Sequence, residues 1–179
     1  MRASRRRLLT AGATGLAGLA GCLGSLGGTG GGPGPGELDA LDVGGSPGGV
    51  VPVHPPEQVV VLDFFATWCA PCKPQMAELR SVREVVGEDV FVLSITAETD
   101  RDTVAAFWTE YEGTWPVAID ASGETARSHD VRGLPTMLVF PPGAGAGEDA
   151  WRHTGLAAAD DVLAAIEQAQ STATATTDA

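Results

Sequence analysis

Lysine is almost missing from this sequence: Lys73 is the only one in 179 residues. Basic side chains as a whole are scarce, 11 Lys and Arg against 23 Asp and Glu, for a formal charge of -12. Arg2, Arg5, Arg6 and Arg7 crowd the first seven positions, and without that segment seven basic residues face 23 acidic ones, a net of -16. A field of that sign repels phosphate backbones and argues against nucleic acid as a partner. A spanning apolar run is also missing near the amino terminus, where Leu8 to Ala20 holds thirteen residues, short of the roughly 20 a membrane helix needs. Cysteine is sparse, three in all with one Cys-x-x-Cys, and His54, His129 and His153 are scattered, which argues against four-ligand zinc. There is no internal repeat. What is plentiful is glycine, 24 residues, beside 12 Pro and a 44% hydrophobic share, which fits one compact domain plus some unstructured sequence.

Met1 to Arg7 is a basic segment followed by the short apolar run, the layout of an export signal over residues 1–21. Ser4-Arg5-Arg6-Arg7-Leu8-Leu9 resembles the twin-arginine signal, whose receptor accepts folded substrates. Gly12, Gly15, Gly18 and Gly21 weaken the alternative of a buried helix. Leu19-Ala20-Gly21-Cys22 resembles the lipobox of exported lipoproteins, which implies a lipid on Cys22; a free or disulfide-paired Cys22 is the alternative. More than one acyl chain gives stable anchoring where one does not. Residues 22–36, mainly Gly with Ser, Thr and Pro, then form a flexible tether, its last fourteen residues reaching about 20 Å root-mean-square. The expectation is a domain over 37–170 held just off the outer face of the cytoplasmic membrane, with a disordered tail over 171–179. The acidic, lysine-poor composition resembles proteins of salt-loving archaea; an ordinary acidic exported protein is the alternative.

If Cys22 carries lipid, Cys69 and Cys72 remain as a pair. Outside the cytoplasm such a pair can cycle between dithiol and disulfide. As a structural staple it would stabilise little, because the loop it closes is so short.

Val59 to Phe65 is a nearly continuous apolar run broken by Asp63, which predicts a central strand covered on both faces. Met76, Leu79, Val82 and Val86 recur at helical spacing up to Gly87. Val90 to Ile95 predicts a second buried strand, and Asp100 or Asp102 caps a helix carrying Val104, Phe107, Trp108 and Tyr111. Val117 to Ile119 forms a short strand, Ser122 starts a short helix toward Asp130, and Thr136 to Phe140 and Ala150 to His153 are strands. Val162, Leu163, Ile166 and Ala169 give a last helix its apolar face. Glu37 to Gln58 is an irregular or hairpin lead-in. The alternation predicts an α/β fold: a central mixed β-sheet flanked by helices on both faces.

Trp68-Cys69-Ala70-Pro71-Cys72-Lys73-Pro74 sits where a buried strand hands over to a helix. A thiolate at a helix N-terminus is stabilised by unpaired N–H groups, so Cys69 is the expected nucleophile and Cys72 the shielded resolving thiol. Pro74 kinks the helix or simply starts it.

Three segments together resemble the thioredoxin-like superfamily, and within it the exported, membrane-tethered TlpA and ResA thiol-disulfide oxidoreductases: Asp63 to Lys73, Trp115-Pro116-Val117-Ala118-Ile119-Asp120, and Val131-Arg132-Gly133-Leu134-Pro135-Thr136. The resemblance runs from about Val59 to Ile166. It implies a thioredoxin-like fold, a cis-proline at Pro135 facing the Cys pair, and a backbone at Leu134 that pairs with an extended substrate. It also implies that Asp63 is the buried carboxylate that exchanges a proton with Cys72; burial raises a carboxyl pKa and suits that role. ResA-type proteins carry a non-acidic residue at that strand position and a Glu three residues after the second Cys, where this chain has Gln75. Proton handling is therefore expected to be thioredoxin-like. Trp68 shapes the docking surface or is buried in the core. Lys73 supports the thiolate or is solvated, Glu98 is a surface-loop residue that matches a substrate-pocket position of the family only loosely, and His129 and His153 are surface or hairpin residues.

The expected activity is disulfide exchange with protein dithiol or disulfide partners, by a monomer that needs no cofactor or metal and draws on a membrane redox partner. A copper metallochaperone using the Cys pair, with His129 as a remote ligand, is the alternative from a different class. A thiol peroxidase is a third, without its usual Pro-x-x-x-Thr-x-x-Cys context.

Overall fold

The computed structural model describes residues 33–148 and 151–177. The expected export signal, Cys22 and most of the tether lie outside the described residues, as does Ala150.

The apolar run becomes β3 (Val59–Phe64), buried at every position. It lies between β4 (Val90–Thr96), parallel to it, and β6 (Thr136–Phe140), antiparallel. β5 (Val117–Ile119) extends the parallel side, and β7 (Trp151–Thr154) closes the other edge as a hairpin with β6. The lead-in is a hairpin of β1 (Glu37–Val43) and β2 (Ser46–Pro52), and β1 joins the sheet antiparallel to β5. The mixed sheet thus runs β2-β1-β5-β4-β3-β6-β7. Pro47 and Pro52 in β2 suit its place as an edge strand, since proline cannot donate to a further ladder.

Side-chain alternation sorts the sheet into two cores. Val59, Val61 and Phe65 face α1 (Cys72–Val86), α2 (Arg101–Glu110) and α4 (Ala159–Thr177), whose Met76, Leu79, Val104, Trp108, Val162 and Ile166 fill that side. Val60, Leu62 and Phe64 face the opposite side, where the short helix α3 (Glu124–Ser128) contributes Ala126 and the following loop Val131 and Leu134. Helices lie on both faces, but the three long ones share one.

Asp100 caps α2, its Oδ1 accepting from the Thr103 N–H. Asp120 caps α3, taking the amides of Glu124, Thr125 and Ala126, so the start of that helix lies at Glu124 rather than Ser122. The expected tail over 171–179 is helical through Thr177. Alanine continues α4 at little cost, and the Ser171 and Thr172 hydroxyls donate back to the carbonyls of Glu167 and Gln168.

One close approach locks the lead-in hairpin to the turn after α2. Gly45 N–H donates to the Gly113 carbonyl at 3.4 Å, and a Cβ on Gly113 would run into the Trp108 indole. Trp108 is fully buried and packs edge-on against Trp115 with ring centroids 5.1 Å apart. Gly113→Ala is therefore expected to destabilise the fold by about 1–3 kcal/mol through overpacking. Urea unfolding measures it, and a change inside ±0.5 kcal/mol would show that the turn has room to spare.

Candidate active site

β3 delivers the chain into a tight loop before α1. Phe65 N–H donates to the Ile95 carbonyl, Cys69 N–H to Ala66, and Cys72 N–H to Cys69. Cys69 and Cys72 form a disulfide, S–S 2.06 Å with Cα atoms 5.3 Å apart. Cys72 is the first residue of α1 and Pro71 its N-cap, so Cys69 stands just ahead of the helix rather than within its first turn. No acidic residue lies in that turn, which leaves the positive end of the helix to the sulfur atoms. Pro74 is the third helical residue. Its missing N–H is one of the four that have no intrahelical acceptor, and α1 continues past it as one helix to Val86.

Trp68 is 73% exposed, which removes core burial as its role. With Cys69, Ala70 and Pro71 it forms one wall of a groove of about 460 Å³, and Arg132, Gly133 and Leu134 form the facing wall. Cys69 lines this groove and Cys72 does not. The Leu134–Pro135 peptide bond is cis, as the resemblance implies. A second cavity, about 280 Å³, is lined by Trp68, Phe64, Ile95, Val131, Leu134 and Glu98.

Glu98 is not a plain surface-loop residue. Its carboxylate accepts from the Thr67 N–H at 2.7 Å and from the Thr67 hydroxyl at 2.8 Å, which pins the loop just ahead of Trp68 and Cys69. The signal was topological: β3 and β4 are parallel neighbours, so residues shortly beyond their ends meet. Lys73 is exposed.

Asp63 is the penultimate residue of β3, between Ser94 and Met137 in register. By alternation its side chain shares the face of Val61 and Phe65, the face that Cys69, Cys72 and Met76 cover. Oδ2 accepts from the Ser94 hydroxyl at 2.7 Å. That hydroxyl accepts in turn from the Trp115 indole N–H at 2.9 Å, a group that can only donate, so its own proton is committed to Asp63. Oδ1 is buried with no hydrogen-bond partner among the described residues. Burial pushes the Asp63 carboxyl up to about 7, against the pull of the Ser94 hydrogen bond. Protonation therefore falls on Oδ1.

Gln75, one helical turn after Cys72, is fully used elsewhere. Its Oε1 accepts from the Ala157 N–H at 2.8 Å and its amide donates to the Ala157 carbonyl at 3.2 Å, tying α1 to the start of α4. His153 donates to the Leu156 carbonyl near β7, an ordinary hairpin contact. His129 departs from its expected surface position: it is 4% exposed and meets His54. Periodicity gave no sign of this, because the contact joins the segment after β2 to the end of a five-residue helix.

Among curated proteins, the chain is similar to thioredoxin-like protein YneN of Bacillus subtilis strain 168, 31% identical over 84 residues, covering 45% of this chain and 49% of that protein. It is also 31% identical over 84 residues to the thiol-disulfide oxidoreductase ResA of Oceanobacillus iheyensis, covering 46% of this chain and 44% of ResA. The chain thus spans about half the length of the curated relatives it matches. Among solved structures, a thiol:disulfide interchange protein DsbE from Chlorobium tepidum, so named in its description as putative, superposes with a TM-score of 0.56 at 25% identity, over 74% of this chain and 96% of that one. The Redoxin family model matches residues 53–174, from the approach to β3 through most of α4, and the chain belongs to the Redoxin family.

Proposed function

We propose that this protein is a membrane-tethered, extracytoplasmic thiol-disulfide oxidoreductase that exchanges disulfides with protein partners through Cys69 and Cys72. The observation that carries the reading is a disulfide at the start of a helix whose first sulfur lines a groove shared with the cis-proline loop. The Cys69 thiolate attacks a partner disulfide, forming a mixed disulfide and releasing one partner thiolate. Cys72 then attacks the Cys69 sulfur, closing the 69–72 disulfide and releasing the second partner thiolate. Two electrons pass to the partner, and run backward the same steps oxidise a dithiol. Asp63 Oδ1 takes the Cys72 proton in one direction and returns it in the other, a role its elevated pKa suits at neutral pH. Gln75 carries no titratable proton and ties α1 to Ala157, so the proton role is given to Asp63. Leu134 offers backbone groups to an extended partner segment beside Cys69, and exposed Trp68 supplies the apolar contact.

The tether supports an outward-facing location: the arginine pair, the short apolar run and Cys22 at its end, followed by the glycine-rich linker. Cys22→Ser is expected to move the protein from the membrane fraction to the soluble fraction, with loss of a lipid-sized mass from the mature amino terminus. Membrane retention without that mass would rule out lipidation at Cys22.

Cys69→Ser is expected to abolish insulin reduction, and a native rate in that variant would refute the mechanism. Asp63→Asn is expected to slow the Cys72 step about a hundredfold at pH 7, as loss of a positioned acid-base group does. Stopped-flow Trp fluorescence resolves that step, and an unchanged rate removes Asp63 from proton transfer.

Asp63 also has a stability signature. Its folded pKa lies above the unfolded value of 3.8, so its contribution is complete below about pH 4 and is lost as pH rises through about 7. At pH 8 Asp63→Asn is expected to be more stable than the native chain by roughly 2–4 kcal/mol, and near equal at pH 4. A pH-independent difference in urea unfolding would contradict the buried protonated carboxyl.

A further inference from the structure

His54 and His129 are brought together from positions 75 residues apart, with Nε2 to Nε2 2.8 Å. Their ring planes lie 21° apart with centroids 5.0 Å apart. A face-to-face stack keeps atoms about 3.5–4.0 Å apart, so a 2.8 Å approach is an edge-on N–H···N hydrogen bond. The proton positions follow from the surroundings. His129 Nδ1 lies 2.8 Å from the Thr125 carbonyl, which only accepts, so Nδ1 carries the proton and Nε2 the lone pair. The Ser128 hydroxyl, 3.1 Å from the same Nδ1, donates its own proton to Thr125 O and so accepts from the ring. His54 must then donate from Nε2, which leaves a bare lone pair on its Nδ1, the atom that is buried without a partner. These contacts fit the Nδ1–H tautomer of His129 and the Nε2–H tautomer of His54, a neutral pair.

The pair stands at the root of the loop that faces the disulfide. His129 ends α3, and Asp130, at φ 52, turns the chain into Val131, Arg132, Gly133, Leu134 and cis-Pro135. The Val131 N–H donates to the Ala126 carbonyl, and Arg152 of β7 donates to the His129 carbonyl at 2.7 Å. Phe140 of β6 meets both imidazoles edge-on, at 4.6 Å and 5.5 Å. His54 follows β2, so the bond ties the lead-in hairpin, otherwise remote from the disulfide, to the start of the cis-proline loop.

We infer that the His54–His129 pair is a positioning element for the disulfide-exchange reaction: a neutral hydrogen bond that fixes where Leu134 and Pro135 stand beside Cys69 and that opens when the pair gains a proton. This inference rests on the oxidoreductase reading. An added proton on His129 Nε2 would face the His54 N–H, and one on His54 Nδ1 would be a buried donor without an acceptor. Among the described residues, Glu37, Asp39, Asp120 and Glu124 line the same cavity of about 720 Å³ as the pair, and Arg152 binds the His129 carbonyl. The carboxylates favour an imidazolium, but Asp120 is engaged in capping α3. Burial first, and then repulsion from His129, hold His54 down to about 4. A histidine whose folded pKa lies below its unfolded value of 6.5 contributes stability above about pH 6.5 and loses it as pH falls toward 4.

The test compares two reagents and two variants of the full chain. Oxidised protein is reduced by dithiothreitol, which needs no groove, and reduced protein reacts with insulin, a protein disulfide that does. His54→Phe keeps a ring and removes the donor. His54→Gln keeps an N–H donor that does not titrate. At pH 7.5 His54→Phe is expected to raise the KM for insulin about tenfold, the worth of one buried hydrogen bond, with the dithiothreitol rate unchanged. His54→Gln is expected to restore the insulin KM to within about twofold and, relative to the native chain, to remove the loss that sets in as pH falls from about 6.5 to about 4. Equal losses with both reagents, no loss with either, or a Gln variant as impaired as Phe would overturn the positioning role. A native chain whose disulfide reacts with neither reagent would instead refute the oxidoreductase reading, before any variant is compared.

Discussion

Everything at this site depends on keeping one carboxyl group out of water. Asp63 stands near the end of the central strand, where every neighbour in sequence and register is still buried, and its desolvation is what moves its titration into the neutral range. The surrounding architecture makes that burial tolerable. The Trp115 indole fixes the Ser94 hydroxyl, the hydroxyl satisfies one carboxyl oxygen, and Trp108 with the close-packed turn at Gly113 holds Trp115 in place. A short loop then sets the Cys pair over the same face, and Glu98 clamps that loop through both polar groups of Thr67.

The parts of this design that follow local rules could be read from the sequence. β3 was visible as an apolar run, α1 as a three-and-four repeat, and the Asp100 cap as an acidic residue ahead of an apolar face. Pro135 could be placed only through the motif around it, since nothing in its immediate chemistry distinguishes it from the other prolines. What escaped reading were contacts made by topology. Glu98 meets Thr67 because two parallel strands end side by side, and His54 meets His129 because a hairpin and a short helix flank the same strand. Gln75 looked like a substituted acid and proved to be a tie to Ala157. The helix over 171–177 carries no large apolar residue to signal it, and alanine needs no apolar partner to remain helical.

Two titrations, of buried Asp63 and half-buried His54, act on this fold in opposite senses. Asp63 holds a proton more tightly in the folded state than in the unfolded one, and His54 holds one less tightly, over much the same pH range. Their effects on stability therefore offset each other in part between about pH 4 and 7. They also divide the labour around the disulfide: one group lies on the face beneath the sulfur atoms, and the other anchors the loop that lines the groove opposite Cys69.

The proposed function requires the 69–72 disulfide to be a reversible couple and not a staple. The most direct measurement is its equilibrium potential in the full chain, titrated against defined dithiol buffers. The account predicts a reversible two-electron transition with a midpoint between about -270 and -120 mV, the range of catalytic dithiols; a midpoint below about -300 mV, or a bond that does not cycle, would mark a structural disulfide and contradict it.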